Sequence, residues 1–329
     1  FKVPNFLRRI FAEGACGQAF IPVLAEYSQD DLSSKQLNFL NALFTLLTMT
    51  VVVFATIIWC FPSMLVKIYA AGYTPGSKRY VLALKLLRYT FPYIICIAWA
   101  AFFGAALQVK RQFLHAAINP VILNVVLIAV ALSISWGYID KLWLAWAVPV
   151  AGLLQVLILL YVYQKHYSLP KFRMHAQEQG VSKVVKLVAM GSYSYGLGQL
   201  GGIIDNNILS YLPAGSISWM YLTERLCYLP LGVFGVAIIT VLGPALADSY
   251  IANDQSRFTR QLDWAILAAG ILGIPSTIGL LLFCEPIIMT LFHHGKFTHH
   301  DVMMTAQSLR VLALGIPGFM WAKVLASAF

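Results

Sequence analysis

Long runs of apolar residues recur along this chain and constrain its fold more than any other feature. An α-helix needs about 20 predominantly apolar residues to cross the hydrocarbon core of a bilayer. Eight windows meet that length, at roughly 38–61, 82–108, 118–137, 142–164, 184–211, 217–246, 262–291 and 303–326. A ninth, partial window covers the first 23 or so residues. The pattern predicts an all-α, polytopic membrane protein with about eight full helices and a partial one.

The charged residues support this prediction and orient the chain. They make up 11% of the 329 residues, whereas soluble domains carry about 25%. The net charge of +10 comes largely from short loops between apolar windows, so we predict membrane lipids, and no nucleic acid, as its partners. One alternate set of loops carries ten Lys and Arg residues and the other carries five. The richer set, which includes the basic stretch 165–183, is predicted to be cytoplasmic.

Short sequence matches indicate an internal repeat. Four pairs recur in order at offsets of 222 to 225 residues: Pro22 with Pro244, Cys60-Phe-Pro62 with Cys284-Glu-Pro286, Gly72-Tyr-Thr74 with Gly295-Lys-Phe-Thr298, and Leu87-Arg88 and Pro92 with Leu309-Arg310 and Pro317. One period contains six helices, an even number, so the repeats run parallel about an axis along the membrane normal. We therefore predict an N-terminal lobe at 1–164, a basic cytoplasmic linker at 165–183 and a C-terminal lobe at 184–329. By the same offset, we expect two six-helix lobes in the complete core, with the first helix, the start of the second and the last helices missing from this chain.

Two charged residues interrupt the apolar window 217–246, namely Glu224 and Arg225. Ionisable residues in a membrane span are costly and usually face a polar cavity or a partner. Arg225 could pair with a carboxylate on another helix for packing alone. The alternative that we favour is an anion ligand, because a guanidinium binds phosphate oxygens through two parallel hydrogen bonds and stays protonated.

A second group of charges opens the chain. Arg8, Arg9 and Glu13 lie within the first apolar stretch, close to Lys2 and Asn5. Arg9 and Glu13 are spaced i, i+4 and can meet on one helix face. These arginines could contact lipid phosphates at a helix end. We favour a cavity-lining cluster that binds an anion, because the apolar run continues beyond it.

The remaining polar candidates carry weaker signals. Asp205, followed by two asparagines within the window 184–211, could hold a hard cation such as Na⁺, or could serve helix packing together with the nearby glycines. The four histidines at 293, 294, 299 and 300 are more typical of a solvated turn than of a metal site, and no metal site is predicted. The sequence contains no GxSxG, HExxH or Walker A motif, so we do not expect an enzyme.

Three motifs resemble those of the MurJ/MviN family, the lipid II flippases of bacterial peptidoglycan synthesis. They are PNFLRRIFAEG at 4–14, GSISWMY at 215–221 continuing to Glu224 and Arg225, and GKFT at 295–298. The resemblance implies the fold of the multidrug/oligosaccharidyl-lipid/polysaccharide exporters, in the bacterial cytoplasmic membrane. It implies that Arg8 and Arg225 bind the cargo, an undecaprenyl-pyrophosphate-linked disaccharide-pentapeptide. It also implies gating or ion-pair roles for Glu13 and Glu224, and a sodium ligand at Asp205.

The resulting hypothesis is a lipid II flippase that works by alternating access and contributes to cell-wall biogenesis and cell shape. We expect no cofactor, with a sodium ion or the membrane potential as the driving force. One alternative is a drug/cation antiporter of the same fold, which would favour a cavity dominated by carboxylates. A second alternative is a membrane enzyme that acts on lipid-linked sugars, which would need an acid/base or metal set in the loop 293–300.

Overall fold

The computed structural model describes residues 20–26, 33–172 and 179–328. This part of the chain is helical throughout, with short connections and no strand. Residues 20–26 are helical. The later helices are α1 Ser33–Cys60, α2 Pro62–Tyr69, α3 Lys78–Thr90, α4 Tyr93–Val109, α5 Phe113–Ser135, α6 Trp143–Tyr163, α7 Gln179–Ser210, α8 Ser216–Pro230, α9 Val236–Ile251, α10 Gln255–Phe292, α11 His299–Ala313 and α12 Ile316–Ala328. A π-helical segment, Leu231–Gly235, joins α8 to α9.

The predicted membrane spans agree closely with these helices. Six stretches are long and apolar enough to cross a bilayer: Lys35–Cys60, Lys78–Val109, Phe113–Ser135, Trp143–Tyr163, Ser216–Ile251 and Gln255–Phe292. Helices α11 and α12 form a seventh if their 45° bend lies within one broken span. The remaining predicted window, 184–211, is helical as part of α7. It is not among these stretches, because glycines, serines and amides dilute its apolar residues. The all-α, polytopic membrane fold is confirmed.

The chain divides into two compact units, Phe1–Tyr211 and Leu212–Phe329. The division into lobes at 1–164 and 184–329 stays a prediction, because residues 173–178 of the proposed linker lie outside the described part. Each unit has its own packed interior.

In the first unit, interlocking rings hold α1, α4 and α6 together. The ring of Phe44 lies 5.3 Å from that of Phe102, and the ring of Phe103 lies 5.0 Å from that of Tyr163. Lipid tails are as apolar as these side chains, so dispersion contacts in close packing, rather than transfer out of water, hold such helices together. Within the described residues α5 has no buried side chain although its mean hydropathy is 2.3, as expected for a helix that faces lipid.

Polar contacts join the end of α7 to the segment after α1. The side-chain amide of Asn207 donates to the carbonyl of Ile68 at 2.9 Å, and the backbone N–H of Gly72 donates to the hydroxyl of Ser210 at 2.8 Å. A Cβ atom on Gly72 would lie 2.6 Å from the backbone of Ser210, so this approach requires glycine. These contacts fix the part of α7 that carries Asp205.

In the second unit, α10, α11 and α12 surround a core that includes Ile288, Leu309 and Met320, none of which is exposed. Helix α8 packs against α11 through its buried residues. It begins after Gly215, which has a φ of 111° that only glycine adopts without strain. The ring of Trp219 lies so close to Gly215 that a Cβ there would sit 2.6 Å from it. This turn fixes the start of the helix that carries Glu224 and Arg225.

Candidate functional site

The two faces of α8 differ sharply. Four residues spaced i, i+4, i+7 and i+8 are buried, and they are Trp219, Thr223, Leu226 and Cys227. The hydroxyl of Thr223 donates to the carbonyl of Thr305 on α11 at 3.3 Å. Arg225 lies on the other side of the helix and is exposed. The apolar face therefore anchors α8, and the arginine is presented on the opposite face.

Tyr221 holds the guanidinium of Arg225 from one turn earlier. The Nη2 atom of Arg225 donates to the Tyr221 hydroxyl oxygen at 3.0 Å, and its Cζ atom lies 5.0 Å from the centre of the tyrosine ring. This i, i+4 pair combines a hydrogen bond with a cation–π contact. A guanidinium has five N–H donors, so the remaining donors of Arg225 stay accessible to an anion.

Among the described residues, no carboxylate lies within ion-pair distance of Arg225. Two ion pairs occur there, Lys183 with Glu26 and Arg310 with Glu285, both at 2.6 Å. The choice between an anion ligand and an ion pair made for packing stays a prediction. Glu224 is half-buried and points about 100° away from Arg225 around the helix.

A second set of contacts fixes α8 against the start of α11. The indole Nε1 of Trp219 donates to Oδ1 of Asp301 at 2.8 Å. The other oxygen of that carboxylate accepts hydrogen bonds from the backbone N–H and the hydroxyl of Thr298, both at 2.7 Å. Thr298 and Asp301 form a capping box, in which each side chain bonds to the backbone of the other residue. One carboxylate thus links the helix cap to the helix that carries Arg225.

This link was not among the features predicted from the sequence. The spacing Thr298-x-x-Asp301 was a readable signal for the cap, since threonine followed three residues later by an acidic residue is typical of a helix start. The bond to Trp219 spans 82 residues and leaves no trace in local sequence. It adds Trp219 and Asp301 to the site as positioning residues.

Five predicted site residues lie outside the described part of the chain: Lys2, Asn5, Arg8, Arg9 and Glu13. Their roles stay predictions. Of the residues predicted to bind the cargo, the structure describes Arg225.

Asp205 is exposed on α7. Its two neighbours use their amide N–H groups on backbone carbonyls, Asn206 at Gly202 with a distance of 2.6 Å and Asn207 at Ile68 with 2.9 Å. A Cβ atom at Gly201 or Gly202 would meet nothing within 4 Å in the described part of the chain. Asn207 therefore bonds to a neighbouring segment and Asn206 to its own helix, while Asp205 itself is exposed.

The histidine loop shows ring contacts. The rings of His293 and His299 are 6.4 Å apart, and the ring of His300 lies edge-on to that of Trp219 at 5.7 Å. Within the described ranges, no group of three or more His, Cys, Asp or Glu side chains could hold a metal ion. The loop packs beside the Trp219–Asp301 contact.

Comparison with known families decides the family of the chain. The profile described as "Lipid II flippase MurJ" matches residues 1–329. The chain belongs to the MurJ family. It is 33% identical over 330 residues to the probable lipid II flippase MurJ of Buchnera aphidicola, and the alignment covers 100% of this chain and 65% of that protein. It is 34% identical over 343 residues to the one of Haemophilus influenzae, with coverages of 100% and 67%.

Solved structures agree with this family assignment. A structure of "Lipid II flippase MurJ, inward closed conformation" matches with a TM-score of 0.82 and 25% identity, over 99% of this chain and 67% of that one. A multidrug resistance MATE family transporter of the MOP superfamily, inward-facing, matches with a TM-score of 0.79 at 12% identity, over 99% and 74%, and this likeness shows the fold alone. The chain spans about two thirds of the length of its MurJ relatives. Family and spans together place it in the bacterial cytoplasmic membrane.

Proposed function

We propose that this protein belongs to a flippase that moves lipid II, the lipid-linked peptidoglycan precursor, from the cytoplasmic to the outer leaflet by alternating access. One observation carries the proposal: Arg225 lies in a stretch long and apolar enough to cross a membrane, is exposed, and has no carboxylate partner among the described residues. Membership of the MurJ family supports the choice of cargo.

The chemistry of the cargo suits this arginine. The diphosphate of lipid II concentrates negative charge on two adjacent phosphates. A charge-assisted hydrogen bond contributes about 1.5–3 kcal/mol, more than a bond between neutral groups. Tyr221 restrains the guanidinium before the cargo arrives, which reduces the conformational entropy lost on binding. We further propose that Arg8, Arg9, Lys2 and Asn5 contribute to the same binding step, and that Glu13 and Glu224 gate it.

The span that carries Arg225 contains a built-in irregularity. Pro230 ends α8, the π-helical segment Leu231–Gly235 follows at once, and Pro244 lies inside α9. Prolines and π-helical turns are the usual places where helices bend. We infer that bending at 230–235 lets the Arg225 half of the span move relative to α9 during alternating access.

The driving force belongs to the proposal as well. Each charge that crosses the membrane potential gains about 2.3 kcal/mol per 100 mV, so the potential can orient a charged cavity. Sodium coupling at Asp205 is the second candidate. Hard cations take several oxygen ligands at once, whereas the amides of the neighbours Asn206 and Asn207 are held at the backbone carbonyls of Gly202 and Ile68. We therefore favour the membrane potential.

Reconstitution of the full-length protein into liposomes tests the proposal. Lipid II placed in one leaflet should reach the other and be recovered chemically unchanged. Collapsing an imposed potential with an ionophore should slow the transfer, while replacing sodium with choline should leave it unaltered. Liposomes that hold the protein but transfer lipid II no faster than empty ones would refute the flippase, and modified lipid II would indicate an enzyme instead.

A further inference from the structure

The exposed face of α3 carries a line of positive charge. Lys78, Lys85 and Arg88 lie at i, i+7 and i+10 and are all exposed. Val81 and Leu82 lie between them on the same face and are 54% and 50% exposed. On the opposite face Leu87 and Thr90 are buried. The three cations therefore form a single stripe, called here the α3 stripe.

In the described part of the chain, the α3 stripe has no acidic partner. The comparison with the second unit is informative, because Leu309-Arg310 repeats Leu87-Arg88. Arg310 pairs with Glu285 at 2.6 Å. In the matching tripeptides Cys284-Glu-Pro286 and Cys60-Phe-Pro62, the position of Glu285 is taken by Phe61, which is 64% exposed. The repeat has thus kept the arginine in both units and its neutralising carboxylate in one.

The depth of the α3 stripe points to a headgroup ligand. The span Lys78–Val109 has 32 residues, or about 48 Å of helix, while the hydrocarbon core is about 30 Å thick. The span must project beyond the core, and the stripe occupies its first 15 Å or so. Residues 89–109 carry no charge and are by themselves about 31 Å long, enough to cross the core, so we place the stripe outside the core at the level of the lipid phosphates.

The spacing within the α3 stripe favours a diphosphate. Lys85 and Arg88 are i, i+3 neighbours, so their Cβ atoms lie about 5–6 Å apart and both cations can reach one ligand. A phospholipid phosphodiester carries a single negative charge, whereas a diphosphate carries at least two. Two adjacent cations without a carboxylate match the second ligand better, and Arg adds a planar fork for phosphate oxygens.

We propose that the α3 stripe is a binding site for the diphosphate of a polyprenyl-linked lipid at one membrane face, where cargo enters or leaves the protein. The proposal rests on the flippase function proposed above and adds a site away from Arg225. Phosphate chemistry is shared with the phospholipids of the bilayer, and the experiment separates the two sources.

A photo-crosslinker in place of Val81 reports on this site alone. The full-length protein carrying it is placed in phosphatidylcholine nanodiscs and titrated with undecaprenyl diphosphate or, separately, with phosphatidylglycerol. In the double variant Lys85→Ala/Arg88→Ala, the diphosphate concentration that gives half-maximal crosslinking should rise about tenfold. Arg88→Lys should retain most of the binding. Arg79→Ala is the matched control, since Arg79 is exposed on α3 but points about 100° away from Lys78.

The outcomes separate the two proposals. An unchanged titration in the double variant overturns the α3 stripe, and so does an equal loss for phosphatidylglycerol, which would show general lipid contact. If crosslinking behaves as expected but the liposome assay shows no transfer of lipid II, the stripe stands and the flippase function fails. If transfer is normal and crosslinking is unaffected by the double variant, the flippase stands and the stripe fails.

Discussion

Replacing Trp219 with phenylalanine isolates the contact that positions α8. The change keeps most of the ring, which is 5% exposed, and removes the Nε1 donor that bonds to Asp301 at 2.8 Å. A hydrogen bond to a charged acceptor is worth about 1.5–3 kcal/mol, and Asp301 keeps its two bonds from Thr298, so we expect a loss near the lower end of that range. At about 1.4 kcal/mol per factor of ten, the ratio of folded to unfolded protein at a given denaturant concentration should fall about tenfold.

The assay is reversible unfolding of the purified protein in detergent, followed by the fluorescence of labels on α8 and α11. Trp321→Phe is the matched control. Its Nε1 donates to the neutral carbonyl of Ile266 at 3.1 Å, and the residue is 39% exposed, so the loss should be smaller. A Trp219→Phe protein as stable as the wild type, or no less stable than Trp321→Phe, would show that Asp301 does not fix α8.

Two other predictions concern the packing and the helix ends. Gly152→Ala should destabilise the protein by about 1–3 kcal/mol, because its Cβ would lie 2.5 Å from the buried ring of Tyr93. Gly104→Ala, whose Cβ would have its nearest contact at 3.7 Å, should cost much less. Thermal unfolding compares the two variants, and equal melting temperatures would contradict this. Asp254 caps α10 by accepting a hydrogen bond from the backbone N–H of Arg257 at 3.0 Å, and this bond, followed by the one from Ser256, lowers the pKa of its carboxyl below the usual 3.8. The cap therefore contributes stability above pH 3.8 and loses it as the pH falls through the lower folded-state pKa. Asp254→Ala should be less stable than wild type at neutral pH and equally stable in acid. A stability difference that persists in acid would count against the cap.

The spans were predictable from sequence because membrane insertion imposes a length and an apolarity that any window can show. Window 184–211 marks the limit of that rule. It is helical in the structure, yet its apolarity is lower than that of the other spans, since Gly, Ser, Gln, Asp and Asn occupy much of it. Its position depends on side-chain bonds from Asn207 and Ser210, which sequence alone does not reveal.

The candidate site was predictable only in part. An arginine inside an apolar window can be recognised from sequence as a functional candidate, because a charge in the bilayer is costly. Its restraint by Tyr221 could have been read from the i, i+4 spacing, whereas the pairing of Trp219 with Asp301 and of Arg310 with Glu285 needed the structure. The repeat predicted equivalent positions but not their divergence. Pro286 lies inside the continuous α10, while its counterpart Pro62 begins a new helix.

The exposed guanidinium of Arg225 is the centre of this account, and lipid II transfer by a variant lacking it is the most direct test. The measurement is the initial rate of lipid II transfer between leaflets in liposomes that contain equal amounts of folded full-length protein. Arg225→Ala should lose most of the transfer rate, and Arg225→Lys should retain part of it through its charge. Arg260→Ala, which removes an exposed arginine near the start of α10, should transfer at the wild-type rate. Wild-type transfer by Arg225→Ala would contradict the account.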